Sequence, residues 1–394
     1  MAQQPKAPQA NNGIEPIEGD AGGTILGPRN LAREQQAPDL LRSPLTDQGT
    51  MPNMRFSFAD AHNRLSVGGW SRQVTNREMS SAITIAGVDM RLNPGSNREM
   101  HWHKEAEWAY MLKGRARVSA VDEQGRTYLD DVGEGDGWYF PSGIPHSIQA
   151  LEEGCEFLLA FDDGAFSENS TFLVTDWLAH TPKDIIAANF GVSVDDLADL
   201  PPHERYIFAA PVPPSLEEQR GPSPNGAVPN TFTHHLGSME PKTTSGGSVR
   251  IQDSSNFPAS KTIAAVLVEV APGAMRELHW HPNADEWQYY ISGQARMTVF
   301  GSSATATTFD FQAGDVGTVP RAMGHYVQNT GTDKLVFLEM FRSDHYADVS
   351  LNQWLALSPR QLVQETLHLN QNMMQALDPV KQPVINRGKP GKSA

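Results

Sequence analysis

The sequence predicts an all-β chain in which one domain is written twice. Three observations carry that reading. Motifs recur in the same order: "NREMHWHKEAEWAY" (97–110) returns as "MRELHWHPNADEWQYY" (275–290), and "GEGDGWYFPSGIPHSI" (133–148) as "QAGDVGTVPRAMGHYV" (312–327). His101 and His279 are 178 positions apart and His146 and His325 are 179 apart, a period that means duplicated domains rather than a solenoid. Short alternating or apolar runs bounded by Gly, Pro and Asn read as strands. With 28 Pro and 33 Gly in 394 residues, many short strands are expected in place of long helices.

The elements follow in order. Residues 1–55 are polar and rich in Pro, Gly and Gln, the composition of an extended and partly disordered arm. Residues 56–209 form the first copy, with strands expected in "AITIAGVDMRL", "ARVSAVDE" and "EFLLAFDD". "DWLAHTPKDII" (176–186) and its repeat "QWLALSPRQLV" (353–363) read as the helix that closes each copy. Thr181 and Ser358 are expected as N-caps, Pro182 and Pro359 as first helical residues, and Asp184 and Gln361 as capping-box acceptors. "APVPPSLEEQRGPSPNGAVPN" (210–230) is the expected linker. Residues 231–394 form the second copy with a C-terminal helix and tail, its strands including "KTIAAVLVEVA", "ARMTVFG" and "LVFLEMF".

A net charge of −15 argues against nucleic acid and anionic membrane surfaces as partners. No apolar run approaches the length of a membrane span, and the first residues lack a charged-then-apolar signal pattern. The lone Cys155 rules out an intramolecular disulfide. These features together lead to the expectation of a cytoplasmic protein.

Two residues apart on a strand, side chains share a face. His101 and His103 therefore aim two imidazoles at one point, as do His279 and His281. Glu107 and Glu286 follow a short turn, and His146 and His325 arrive from a later strand. Three His and one carboxylate make a first-row metal site with open positions. A single HxH pair is as readily a packing feature, but the same pattern stands in both copies. Arg98 and Arg276 lie three positions before the first His of each copy. Only a bulged strand would turn them to the His face, where either could clamp a carboxylate with paired hydrogen bonds.

These residues also carry a resemblance. Gly95, His101, His103, Glu107 and Gly114, followed by Gly135, Pro141, Gly143 and His146, match the two cupin motifs. Gly273, His279, His281, Glu286, Gly293, Gly314, Pro320 and His325 repeat them, with Ala322 in place of the motif glycine. The chain therefore resembles a bicupin, which implies two antiparallel jelly-roll β-barrels, each followed by short helices and each holding one metal. "HWHKEAEWAYM", "FSENSTF", "TDWLAHTPK", "EWQYYISG" and "HYADVSLNQWLA" further resemble the bacterial oxalate decarboxylases from about residue 14 to the C-terminus.

That resemblance implies two manganese ions per chain, dioxygen as co-catalyst, and oxalate as the substrate that is split to formate and CO2. It implies a mobile lid at Ser167, Glu168, Asn169, Ser170 and Thr171, with Glu168 as proton acceptor and donor. Arg98 and Arg276 would then bind substrate beside the metals, and Glu339 would act near the second site. Counting back from the paired Trp177 and Trp354 sets Asp162 opposite Glu339. Cupin barrels trimerise through their helices, so a trimer or hexamer is expected. An oxalate oxidase releasing hydrogen peroxide, and a non-enzymatic metal-binding or storage bicupin, remain the alternatives.

Overall fold

The computed structural model describes residue 28, residues 30–41 and residues 43–386; most of the stretch expected to be disordered lies outside these. Two antiparallel barrels follow one another along the chain. In the first, the path runs Thr233–His234, Gly137–Phe140, Glu107–Val121, His146–Phe161, Ala86–Leu92, Gly69–Val74, Asn63–Ser66. Glu107–Val121 and His146–Phe161 are long enough to cross from one wall of the barrel to the other. Asn97–Trp102, the strand that carries His101 and leads into His103, pairs with His146–Phe161.

In the second barrel the same long strands are each broken in two. Glu286–Ser292 and Gln294–Phe300 are separated by Gly293, and Gly324–Asn329 and Leu335–Phe341 by a short turn. Its walls are consequently two separate sheets of seven and six strands among the described residues. Gly114 and Gly293, at the corresponding bends, both have φ in the left-handed region, where a Cβ would be strained.

Each barrel is completed by a strand that precedes the other. Arg55–Ser57, ahead of the first barrel, pairs with Asp315–Val319 of the second, and Arg55 Nη2 donates to Asp315 Oδ2 at 2.7 Å. Thr233–His234, ahead of the second barrel, pairs with Gly137–Phe140 of the first. Between the barrels the apolar core is continuous, for Trp287, Tyr289 and Met340 of the second pack in one buried cluster with Phe58, Val88 and Leu158 of the first. Burial of such rings and branched chains is the main force holding two barrels as one body.

The helices lie where the repeat put them, at Val174–Ala179 and Lys183–Phe190 in the first copy and Leu351–Leu357 and Arg360–Leu367 in the second. Their caps differ from expectation. Pro182 and Pro359 are the N-cap residues, and neither helix start receives a side-chain cap. The Thr181 and Ser358 hydroxyls donate backwards instead, to the Trp177 and Trp354 carbonyls at 2.8 Å. Each Thr or Ser thus ends the preceding helix, satisfying one of its orphan carbonyls. No described helix is long and apolar enough to cross a membrane.

Candidate metal centres and substrate cavity

His101, His103, Glu107 and His146 converge in the first barrel, and His279, His281, Glu286 and His325 in the second. Within each set the ligand atoms lie within 4.8 Å of one another, and all eight residues are buried. The strands explain the convergence. His101 pairs in register with His146, and His279 with His325, so two imidazoles stand side by side across one ladder.

All six rings are oriented by the same device. Nδ1 of each donates to a backbone carbonyl: His101 to Glu99 at 2.6 Å, His103 to Glu105 at 2.6 Å and His146 to Ile144 at 2.8 Å. His279 donates to Glu277 at 2.7 Å, His281 to Ala347 at 2.8 Å and His325 to Met323 at 3.1 Å. This fixes the tautomer that leaves each Nε2 lone pair facing the centre. Burial and the nearby Arg98 charge hold His101 well below the ordinary histidine range, and burial and Arg276 do the same to His279.

The carboxylates are held from behind. Glu107 Oε1 accepts from Trp138 Nε1 at 2.8 Å, and Glu286 Oε1 accepts from Gln288 Nε2 at 2.8 Å. The two supports are a compensated exchange across one strand pair. Ala109 lies opposite Trp138, and Gln288 lies opposite Gly317, where a Cβ would sit 2.5 Å from Gln288 Oε1. The second oxygens point inward, Glu107 Oε2 at 3.2 Å from His103 Nε2 and Glu286 Oε2 at 2.7 Å from His325 Nε2. Burial alone would raise the Glu107 carboxyl; the surrounding His146 and His103 imidazoles nevertheless hold it well below the usual range.

The donor sets fit a metal ion. His146, His279, His281 and His325 Nε2 and Glu286 Oε2 are buried without a hydrogen-bond partner. Orphaned polar atoms of this kind carry a steep desolvation cost unless a cation satisfies them. The chain has two metal-binding sites, each of three imidazoles and one carboxylate.

Both arginines face these sites, because the strand bulges once between Arg98 and His101 and once between Arg276 and His279. One extra residue there turns the arginine onto the histidine face. Their surroundings are opposite. Arg276 donates to Glu339 Oε1 at 3.2 Å, Asp348 Oδ2 at 2.8 Å, Tyr346 Oη at 2.7 Å and the Pro383 carbonyl at 3.3 Å. Lys381 pairs with Asp348 behind it. Arg98, also buried, donates to the Tyr206 carbonyl at 3.4 Å and lies 4.2 Å over the Tyr206 ring. No carboxylate pairs with Arg98 among the described residues.

Strand register explains the difference and corrects one expectation. Leu159 pairs with Val88 and Ala109, as Glu339 pairs with Val266 and Gln288. The counterpart of Glu339 is therefore Leu159 and not Asp162. Between Phe161 and Phe172 the first copy holds three more residues than the second does between Phe341 and Val349. Counting back from the tryptophans slips by that insertion, and the insertion falls in the segment of the expected lid.

That segment closes over the site as a short 3-10 turn, Glu168–Ser170, capped by Ser167. Glu168, Arg98, Leu159, His101, His103 and Glu107 border one small cavity. Glu168 Oε2 accepts from Ser71 Oγ at 2.9 Å, and Oε1 is buried with no partner. Thr171 also borders this cavity. In the second barrel Tyr346, Ala347 and Asp348 fill the corresponding space and bond to Arg276 and His281.

Comparison with known proteins places this geometry. The cupin family model matches residues 56–197 and 234–375. The chain is 61% identical to oxalate decarboxylase OxdC of Bacillus subtilis over 95% of this chain and 97% of that one. The chain belongs to the oxalate decarboxylase family of bicupins. A probable oxalate decarboxylase of the fungus Arthroderma benhamiae is 40% identical over 94% of this chain and 93% of its own. A solved structure concerned with the Mn(II) centres of the Bacillus enzyme superposes with a TM-score of 0.93 at 60% identity, covering 97% of this chain and all of that one. Another is of a variant with the sequence SENS, present here at 167–170, replaced by DSSN.

Sequence reasoning missed several residues around the oxalate decarboxylase site. Ser71, Tyr206, Leu159, Trp138 and Gln288 each shape a ligand or the cavity. A signal existed for Ser71: Gly68-Gly69 and Gly246-Gly247 anchor the two copies and set Ser71 against Val249. Tyr206 offered none, because it lies on a return segment too short to read.

Proposed function

We propose that this chain converts oxalate to formate and CO2 in a manganese- and dioxygen-dependent reaction, chiefly in its first barrel. The observation that carries the proposal is the shared cavity, in which an unpaired arginine and a lid carboxylate meet His101, His103 and Glu107. The relationship to the Bacillus oxalate decarboxylase supports the substrate.

Manganese bound there would supply one-electron redox chemistry, in concert with dioxygen, for a C–C bond that resists heterolytic cleavage. Arg98 would clamp one oxalate carboxylate and orient the other. Glu168 would take the proton of the oxalate monoanion and return it to carbon after CO2 leaves, so that one group serves both proton steps. The Ser167–Thr171 lid would admit substrate and then exclude water. In the second barrel Arg276 and Glu339 form the matching pair. Their mutual engagement supports a smaller share of turnover there. The proposal extends to a cytoplasmic trimer or hexamer, which light scattering can test for assembly.

The test follows formate and hydrogen peroxide together in purified, manganese-loaded protein given oxalate. Glu168→Gln keeps shape and polarity but loses proton transfer, and formate production should fall about 10²–10⁴-fold with metal content unchanged. Formate at near the parental rate would remove Glu168 from the mechanism. Peroxide as the main product of the parent protein would favour the oxidase reading.

A further inference from the structure

The two barrels provide an internal comparison, because the lid stands in only one. Around Glu168, every side chain that touches the lid carboxylate or its backbone amide differs from the second copy. Ser71 is replaced by Val249 and Gln73 by Ile251, as the common Gly69 and Gly247 registers show. Tyr206 is replaced by Pro383, since the Tyr206 and Pro383 carbonyls both accept from the residue after the arginine, Glu99 and Glu277. The polar set has been exchanged as a unit together with the lid, although the strands that carry it are common to both.

The contacts form a chain. Ser71 Oγ lies 2.9 Å from Glu168 Oε2 and 2.8 Å from Tyr206 Oη. A serine hydroxyl has one proton. Given to the carboxylate, it leaves the Ser71 oxygen to accept from the Tyr206 hydroxyl. Burial and then the Glu168 charge push the Tyr206 phenol well above its ordinary range, so it stays a donor. Gln73 Oε1 accepts from the Glu168 backbone N–H at 3.3 Å.

Tyr206 itself is held at some cost. Its φ is 55°, a left-handed conformation uncommon in a bulky residue, and it is buried. Glu99 Oε2 accepts from its N–H at 2.7 Å and from that of Arg205 at 2.8 Å. The result sets one ring against the Arg98 guanidinium and its hydroxyl against Ser71.

We propose that Ser71 and Tyr206 are positioning residues that latch the closed lid and reserve one oxygen of Glu168 for proton transfer. Oε2 is occupied as an acceptor, so the proton must come and go at Oε1, the oxygen left buried without a partner. The same tyrosine touches Arg98, so substrate clamp and lid acid are aligned through one side chain. This inference rests on the proposed role of Glu168, and its test separates the two.

Amide hydrogen exchange over residues 167–171 reads the latch without catalysis. Ser71→Ala should speed exchange there roughly tenfold or more, the loss of a hydrogen bond to a charged group, and Tyr206→Phe roughly two- to tenfold, the loss of the neutral bond behind it. In a Glu168→Ala background Ser71→Ala should add nothing further. In turnover, both single variants should lower kcat for formate roughly ten- to a hundredfold, with little change in metal content or Tm, and raise peroxide per oxalate consumed. Unchanged lid exchange in both single variants would overturn the latch, as would an undiminished Ser71→Ala effect in the Glu168→Ala background. Faster exchange combined with a fully active Glu168→Gln would keep the latch and refute the acid–base role instead.

Discussion

Leu159→Glu would place in the first barrel the carboxylate that engages the arginine of the second. Leu159 and Glu339 occupy equivalent register positions, and Glu339 lies 3.2 Å from Arg276 Nε. A glutamate at 159 should fold onto Arg98 and compete with oxalate for the guanidinium. The control is Leu159→Gln, which has the same shape without the charge. Leu159 is only 3% exposed, so both variants lose its burial, worth about 1.5–3 kcal/mol, and both place a polar group in the core. That common cost cancels in the comparison.

What remains is the competition. A hydrogen bond between charged groups contributes about 1.5–3 kcal/mol, so kcat/KM for oxalate should be roughly ten- to a hundredfold lower in Leu159→Glu than in Leu159→Gln. The assay is initial-rate formate production over a range of oxalate concentrations, with manganese content and thermal midpoint measured on the same preparations. Equal kcat/KM in the two variants, at equal metal content, would refute the reasoning that an unpaired Arg98 is what distinguishes the first site.

Two further outcomes follow from the geometry. Replacing His101 and His103 together with Ala should remove one metal ion per chain and leave the second, since the other ligand set belongs to a separate barrel; elemental analysis checks it, and loss of both ions would contradict it. Asp89 is 6% exposed, has a buried oxygen without a partner, and is pushed up from 3.8 to about 7 by burial first and then by Glu156, against the pull of Arg72. The folded state therefore keeps a proton that the unfolded chain loses, so stability should fall as pH rises from about 4 to 7, by on the order of 4 kcal/mol at most. Asp89→Asn should flatten that slope in thermal melts, and a slope identical to the parent would show that Asp89 titrates normally.

Much of the site was legible because the metal ligands obey local rules. HxH needs only the two-residue period of a strand, and the third histidine follows a Gly/Pro turn that both copies share. Ala322, in place of the motif glycine Gly143, even keeps the left-handed φ, 67° against 75°. The bulge that aims Arg98 inward could be named only as a condition, because an added residue in one strand shows itself in the partner's register. The helix caps were misread for a related reason. A Thr-Pro pair is compatible with starting one helix or ending another, and only the position of the Trp177 and Trp354 carbonyls decides.

The reciprocal exchange of entry strands lay beyond local pattern. Arg55–Ser57 is three residues long, and its partner lies some 260 positions away. The residues that differentiate the two sites were hidden by the duplication that made the ligands visible. Looking for what both copies keep finds His101 and His279, Arg98 and Arg276; it passes over Ser71, Leu159 and Tyr206, whose importance lies in not being kept. In a duplicated chain the shared residues build two equal metal holders. The unshared ones decide which holder leaves its arginine without a carboxylate partner and which carries the Glu168 turn. By that criterion Leu159 opposite Glu339, and Ser71 with Tyr206 opposite Val249 with Pro383, mark the first barrel as the one whose arginine is left unpaired.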